Sequence, residues 1–113
     1  MVNSRQKGAR GERAWAARCR DEGFDARRGQ QYSGNPDAPD VVCHDIPWCH
    51  FEVKVVEKLN LQAAMDKAKD DCGDKAPVVA HKRNRHEWLV TMRADDWFKL
   101  VREYDEVSEV QKT

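Results

Sequence analysis

The sequence predicts an α/β fold, a mixed β-sheet flanked by helices in the order α-β-β-β-α-β-β-α. Three features carry that expectation. Residues 5–22 and 61–72 repeat small and apolar side chains at helical spacing. Residues 48–56 alternate with the two-residue period of a strand, and residues 40–43 supply a short apolar partner upstream. Strand, helix and strand then follow one another over 48–81, a crossover that requires a parallel pair in the sheet.

In chain order, Ser4 is a candidate N-cap and Gly23 a stop for the first helix. Gly8, Glu12, Trp15, Ala16 and Cys19 fall on one face of it, which puts a carboxylate on the inward stripe. Such a carboxylate needs a partner, either a salt bridge at the helix edge or a metal site. Residues 24–28 read as the first strand, and the turn-rich run 29–39, which includes Ser33, as a loop placed to touch a substrate. Asp40-Val41-Val42-Cys43 turns through His44-Asp45-Ile46-Pro47 into the strand 48–56.

Asn60 caps the second helix, whose core stripe is Leu61, Ala64, Met65, Ala68 and Cys72, and Gly73 ends it. Residues 77–81 form a short buried strand. Lys82, Arg83 and Arg85 make a basic turn, and 88–92 return as a strand. Asp95 caps a last helix expected to turn Trp97, Leu100, Val101 and Tyr104 inward.

The chemistry concentrates on the central hairpin. A strand at 48–56 sets Trp48, His50, Glu52 and Lys54 on one face, and Cys49, Phe51, Val53 and Val55 on an apolar opposite face. Glu52 and Lys54 lie about 7 Å apart along the strand. The hairpin brings Asp40 to them. Two carboxylates beside a fixed cation suit a hard metal ion and a phosphodiester. Taken alone, Asp, eleven residues, then Glu-x-Lys is a short pattern in a chain that is 35% charged. Its plain alternative is an edge hairpin with a surface ion pair.

At 113 residues the chain has room for one domain, 1–113, with a modest core. Net charge is zero, but residues 1–28 carry eight basic and four acidic groups, and residues 95–113 three basic and six acidic ones. The basic third suits a polyanion. Lys7, Arg10, Arg13, Arg27, Arg28, Lys58 and the 82–85 turn are candidates to hold DNA phosphates. No apolar run is long enough for a membrane span or a signal segment, so an intracellular, cytoplasmic protein without a membrane partner is expected. The four cysteines form no CxxC pair and read as core. Cys43-His44 and Cys49-His50 look like a zinc pair, but neighbours in a strand face opposite ways, so one tetrahedral site is hard to build.

Lys7-Gly8-Ala9-Arg10-Gly11-Glu12-Arg13, Glu22-Gly23-Phe24, Arg27-Arg28, Pro39-Asp40-Val41-Val42 and Phe51-Glu52-Val53-Lys54 resemble the PD-(D/E)XK nucleases. Within that superfamily the chain is most similar to archaeal-type Holliday-junction resolvases and their small phage-encoded relatives, over about residues 5–92. The resemblance implies a restriction-endonuclease-like sheet. It implies Asp40 and Glu52 as ligands of Mg2+ (Mn2+ as substitute), with the Val53 carbonyl a further ligand and Glu12 assisting. Lys54 would orient water or stabilise phosphorane charge, and Gln62 would match a glutamine that some branches place after the lysine. The expected activity is structure-selective cleavage of branched DNA. The alternatives are a general nicking or restriction-type endonuclease, and a non-catalytic DNA-binding module. Two symmetric cuts on a four-way junction imply a homodimer, with Trp88, Trp97 or Phe98 as candidate interface residues.

Overall fold

The computed structural model describes residues 4–29 and 39–112. The elements are α1 (Ser4–Asp21), β1 (Ala26–Arg28), β2 (Val41–Cys43), β3 (Cys49–Val55), α2 (Leu61–Asp71), β4 (Ala76–Lys82), β5 (Leu89–Met92) and α3 (Ala94–Lys112). Among the described residues the strands form one mixed sheet in the order β1-β2-β3-β4-β5. β3 and β4 run parallel, while β1–β2, β2–β3 and β4–β5 are antiparallel. The predicted crossover is β3-α2-β4.

Two layers of side chains hold the sheet. Trp15, Ala16 and Cys19 of α1 bury against Val41, Cys43, Phe51, Val53, Val78 and Ala80. The Trp15 ring meets Phe51 edge-on at 5.6 Å and Trp88 at 5.0 Å. Ala64 and Met65 of α2 cover Val79 on the other face. β3 is therefore covered on both faces, as a strand paired in parallel inside a sheet usually is. This corrects the one-sided expectation: His50 and Glu52, on the polar side of the alternation, are only 3% and 2% exposed because α2 lies over them.

The helix ends follow the sequence. Gly23, at φ +94°, closes α1: its N–H donates to Arg20 O, and the Phe24 N–H to Cys19 O. The Asn60 side chain accepts from the Ala63 N–H at 3.0 Å and starts α2. The last helix departs from expectation. Leu100 and Val101 are half-buried, but Trp97 and Tyr104 are 51% and 72% exposed. Asp95 is not the cap expected of it: α3 begins at Ala94, so Asp95 lies exposed inside the first turn, and the buried Asp96 accepts from Arg93 Nε at 3.0 Å. Among the described residues, cover for the predicted stripe is found at Leu100 and Val101 and not at Trp97 or Tyr104.

Gly29 ties the loop base together. Its N–H donates to Asp40 O at 2.7 Å, and a Cβ added there would land on the Pro39 carbonyl. Because the obstacle is backbone, Gly29→Ala is expected to cost ~1–3 kcal/mol, the scale of overpacking. A thermal melt showing parental stability would contradict this. Ser33 and the rest of residues 30–38 lie outside the described residues.

Candidate active site

β2 is short, and its described pairing with β3 is Val41 opposite Phe51. Where the strands part, Asp40 continues the ladder in its own way. Its backbone N–H donates to Phe51 O at 2.8 Å, and its Oδ2 accepts the Val53 N–H at 2.9 Å. That side-chain bond fixes the Asp40 carboxylate beside the Glu52–Lys54 segment. On the α1 side, Gly11 permits a close approach, since a Cβ there would come within 3.1 Å of Val55 Cγ2. The result is a cleft of about 480 Å³ lined by Lys7, Gly11, Glu12, Asp40, Glu52, Val53, Lys54 and Lys67.

Most of the predicted constellation thus shares one cleft, with differences in detail. Glu52 is nearly enclosed, its side chain 3% exposed; Lys54 Nζ stands 3.8 Å from Glu52 Oε1 with its own side chain 41% exposed. Glu12 reaches the cleft but is also held from behind, since Arg28 Nε and Nη2 both lie 3.1 Å from its Oε1. Arg28, one of the candidate phosphate contacts, is half-buried and paired with Glu12. Gln62 falls outside the cleft, exposed on α2 with its Nε2 donating to Asp66 at 2.9 Å. Among the proposed phosphate contacts, Lys7 lines the cleft, while Arg10, Arg13, Arg27, Lys58 and Arg85 are exposed. Lys82 covers the Trp88 ring at 5.6 Å, and Arg83 faces Glu57 at 3.4 Å.

Lys67 was not anticipated from the sequence. Its Nζ lies 3.1 Å from Glu52 Oε2 and 3.2 Å from Asp71 Oδ2. The signal for it is faint: it sits one helical step off the Ala64–Ala68 stripe, on the flank shared with Asp71.

The electrostatics are those of gathered like charges. Burial, then the nearby Asp40 carboxylate, raises the pKa of Glu52 against the opposing pull of Lys67 and Lys54. The same two causes raise Glu12, against Arg28 and Lys54. Burial works against the charge of Lys67, but Glu52 and Asp71 outweigh it and its pKa rises. Burial lowers the pKa of His50, which lies two residues before Glu52 with a buried, unpaired Nε2.

The raised pKa of Glu12 has a measurable consequence. A carboxyl whose folded pKa lies above its unfolded one weakens the fold as pH rises through the folded value. Glu12→Gln is therefore expected to melt above the parent at neutral pH, with the gap closing as the solution is acidified. A lower melting temperature at neutral pH would make the Arg28 pair the dominant contribution.

Cysteine behaves as read from the sequence. The described thiols are free, and burial pushes Cys19 up to about 11 and Cys49 to about 12, so both stay protonated. Among the described residues, no three His, Cys, Asp or Glu side chains gather as a ready metal-binding group.

No protein-family model and no curated protein matches the sequence. A solved structure does: Hjc, a Holliday junction resolvase from the archaeal hyperthermophile Archaeoglobus fulgidus. The TM-score is 0.53 at 23% identity, over 74% of this chain and 73% of that one. The two proteins share a fold. The mixed sheet flanked by helices is thus the layout of Hjc, as the element order predicted.

Proposed function

We propose that this cleft is the active site of a metal-dependent, structure-selective DNA endonuclease that favours four-way junctions. The observation that carries the proposal is the meeting of Asp40, Glu52 and Lys54 where β2 parts from β3, on a fold shared with a Holliday junction resolvase. The donor set fits Mg2+, which needs few protein ligands because it keeps its waters. Asp40, Glu52 and the Val53 carbonyl would hold it, and Glu12 would lie in its outer surroundings. A bound Mg2+ polarises a phosphate oxygen and makes a water more acidic. The chain's own contribution is positional. Asp40 is fixed by the Val53 N–H, Glu52 is fixed by burial, and the Lys54 ammonium stands free enough to meet phosphate charge. Lys7, Arg10 and Arg13 on α1 would grip backbone phosphates, a contact that reads shape and charge but not sequence.

Four-way, flap and linear duplex DNAs of matched sequence, incubated with and without Mg2+, test the assignment. Cleavage of the four-way substrate ahead of linear duplex, abolished by EDTA, is expected. Equal cutting of all three would make the enzyme a general nicking endonuclease. Binding without cutting in Mg2+ or Mn2+ would make it a DNA-binding module.

Two symmetric incisions need two sites, so the working form is proposed to be a homodimer. The exposed Trp97–Phe98 pair on α3, rings 5.0 Å apart, is apolar surface available for it. Trp88, the other candidate, is instead half-buried against Trp15. Light scattering at micromolar concentration should give twice the chain mass. A monomer that stays one on junction DNA would contradict it.

A further inference from the structure

Lys67 is the charged group of the cleft that the proposed chemistry leaves without a role. Its ammonium bridges Glu52 Oε2 and Asp71 Oδ2 at 3.1 and 3.2 Å, yet its side chain is 52% exposed. Glu52 is the reverse, a carboxylate whose side chain is only 3% exposed. A buried carboxylate without a counter-charge is costly, and Lys54, at 3.8 Å, lies beyond hydrogen-bond distance. Lys67 therefore supplies the direct bond that Glu52 needs. A cation that approaches Glu52 meets an ammonium already on one of its two oxygens.

The flexible four-carbon stem lets that ammonium swing away, and Asp71, on the same helix, keeps it tethered at the cleft wall. A backbone phosphate entering the cleft offers it another anion. We propose that Lys67 is a built-in counter-ion of Glu52, competing with the metal in the DNA-free protein and passing to a DNA phosphate when the substrate binds. Metal and DNA would then favour each other's binding, because DNA removes the competitor. The inference rests on the nuclease assignment for its purpose, but its two binding effects are measurable without any cleavage.

The test uses the full chain as parent, Lys67→Gln, Lys67→Arg, and Glu52→Gln with and without Lys67→Gln. Mn2+ affinity is measured by electron paramagnetic resonance in the absence of DNA. Junction affinity is measured by gel shift in EDTA. Lys67→Gln is expected to bind Mn2+ ~5-fold more tightly than the parent, the scale of one unit charge ~4 Å away in a water-like dielectric. It should bind the junction more weakly. Lys67→Arg, which keeps the charge, should stay closer to the parent in both assays, and Glu52→Gln should erase the Mn2+ gain.

Unchanged or weaker Mn2+ binding by folded Lys67→Gln overturns the competition, as does failure of every variant to bind Mn2+. Unchanged junction affinity overturns the transfer to phosphate. A parent that cuts junctions while Lys67→Gln binds Mn2+ as the parent does sinks this inference and leaves the nuclease standing. A parent that never cuts, with the Mn2+ and junction effects both present, does the opposite.

Discussion

Asp40→Asn and Glu52→Gln should each lower single-turnover cleavage of a four-way junction by orders of magnitude while junction binding persists. Either change removes a negative charge that a divalent cation needs and leaves the basic surface of α1 in place. In metal-free buffer the affinity should hold or tighten, since a carboxylate that repels phosphate has gone. Folding is not the cause of the loss. Asn at 40 keeps an acceptor for the Val53 N–H, now at 2.9 Å. At 52 the carboxylate works against the fold, because burial and Asp40 raise its pKa, so Gln removes a penalty along with a Lys67 bond. The same shift sets the parent's pH profile. In the metal-free protein burial and Asp40 favour protonated Glu52, and a proton there competes with the cation for the same oxygens, so Mn2+ affinity should fall on acidification and cleavage with it. Variants that cut at the parental rate would move the site elsewhere.

Lys54→Ala should behave differently. The Lys54 ammonium is not committed to a close partner, standing 3.8 Å from Glu52 with its side chain 41% exposed. Its loss leaves both carboxylates for the metal but removes a cation from the phosphate as charge builds in the transition state. Losing one such stabiliser typically costs ~10²–10³ in rate. Mn2+ affinity should be kept or improved, and junction affinity should drop only modestly. A Lys54→Ala protein that cuts normally but loses metal would reverse the roles given to Lys54 and the carboxylates.

Much of this was legible in the sequence because it depends on short-range pattern. The alternation at 48–56, the Asn60 cap and the Gly23 stop each act within a few residues, and each appears where the pattern put it. The strand-helix-strand order then requires the parallel β3–β4 pair of the mixed sheet. The hairpin likewise carried Asp40 to Glu52, since a two-strand register is set by the turn between the strands. What could not be read depends on packing between distant elements. Strand alternation marked His50 and Glu52 as a polar face, and only the position of α2 makes that face an interior one. Lys67 and Gln62 are both polar residues on one helix, and the rotation of α2 over the sheet decides which of them meets Glu52. Arg28 reads in the sequence as a phosphate contact, and only the placement of β1 beside α1 pairs it with Glu12. The exposed Trp97 and Tyr104 show the limit of periodicity, which finds a helix's apolar stripe but not whether anything covers it.

The most direct measurement is single-turnover incubation of the parent with a four-way junction, in Mg2+ and in EDTA, with binding followed in the same tubes. The predicted result is binding in both, with paired incisions in Mg2+ alone. A protein that binds the junction in both buffers and cuts it in neither, with Mn2+ also tried, would contradict the account.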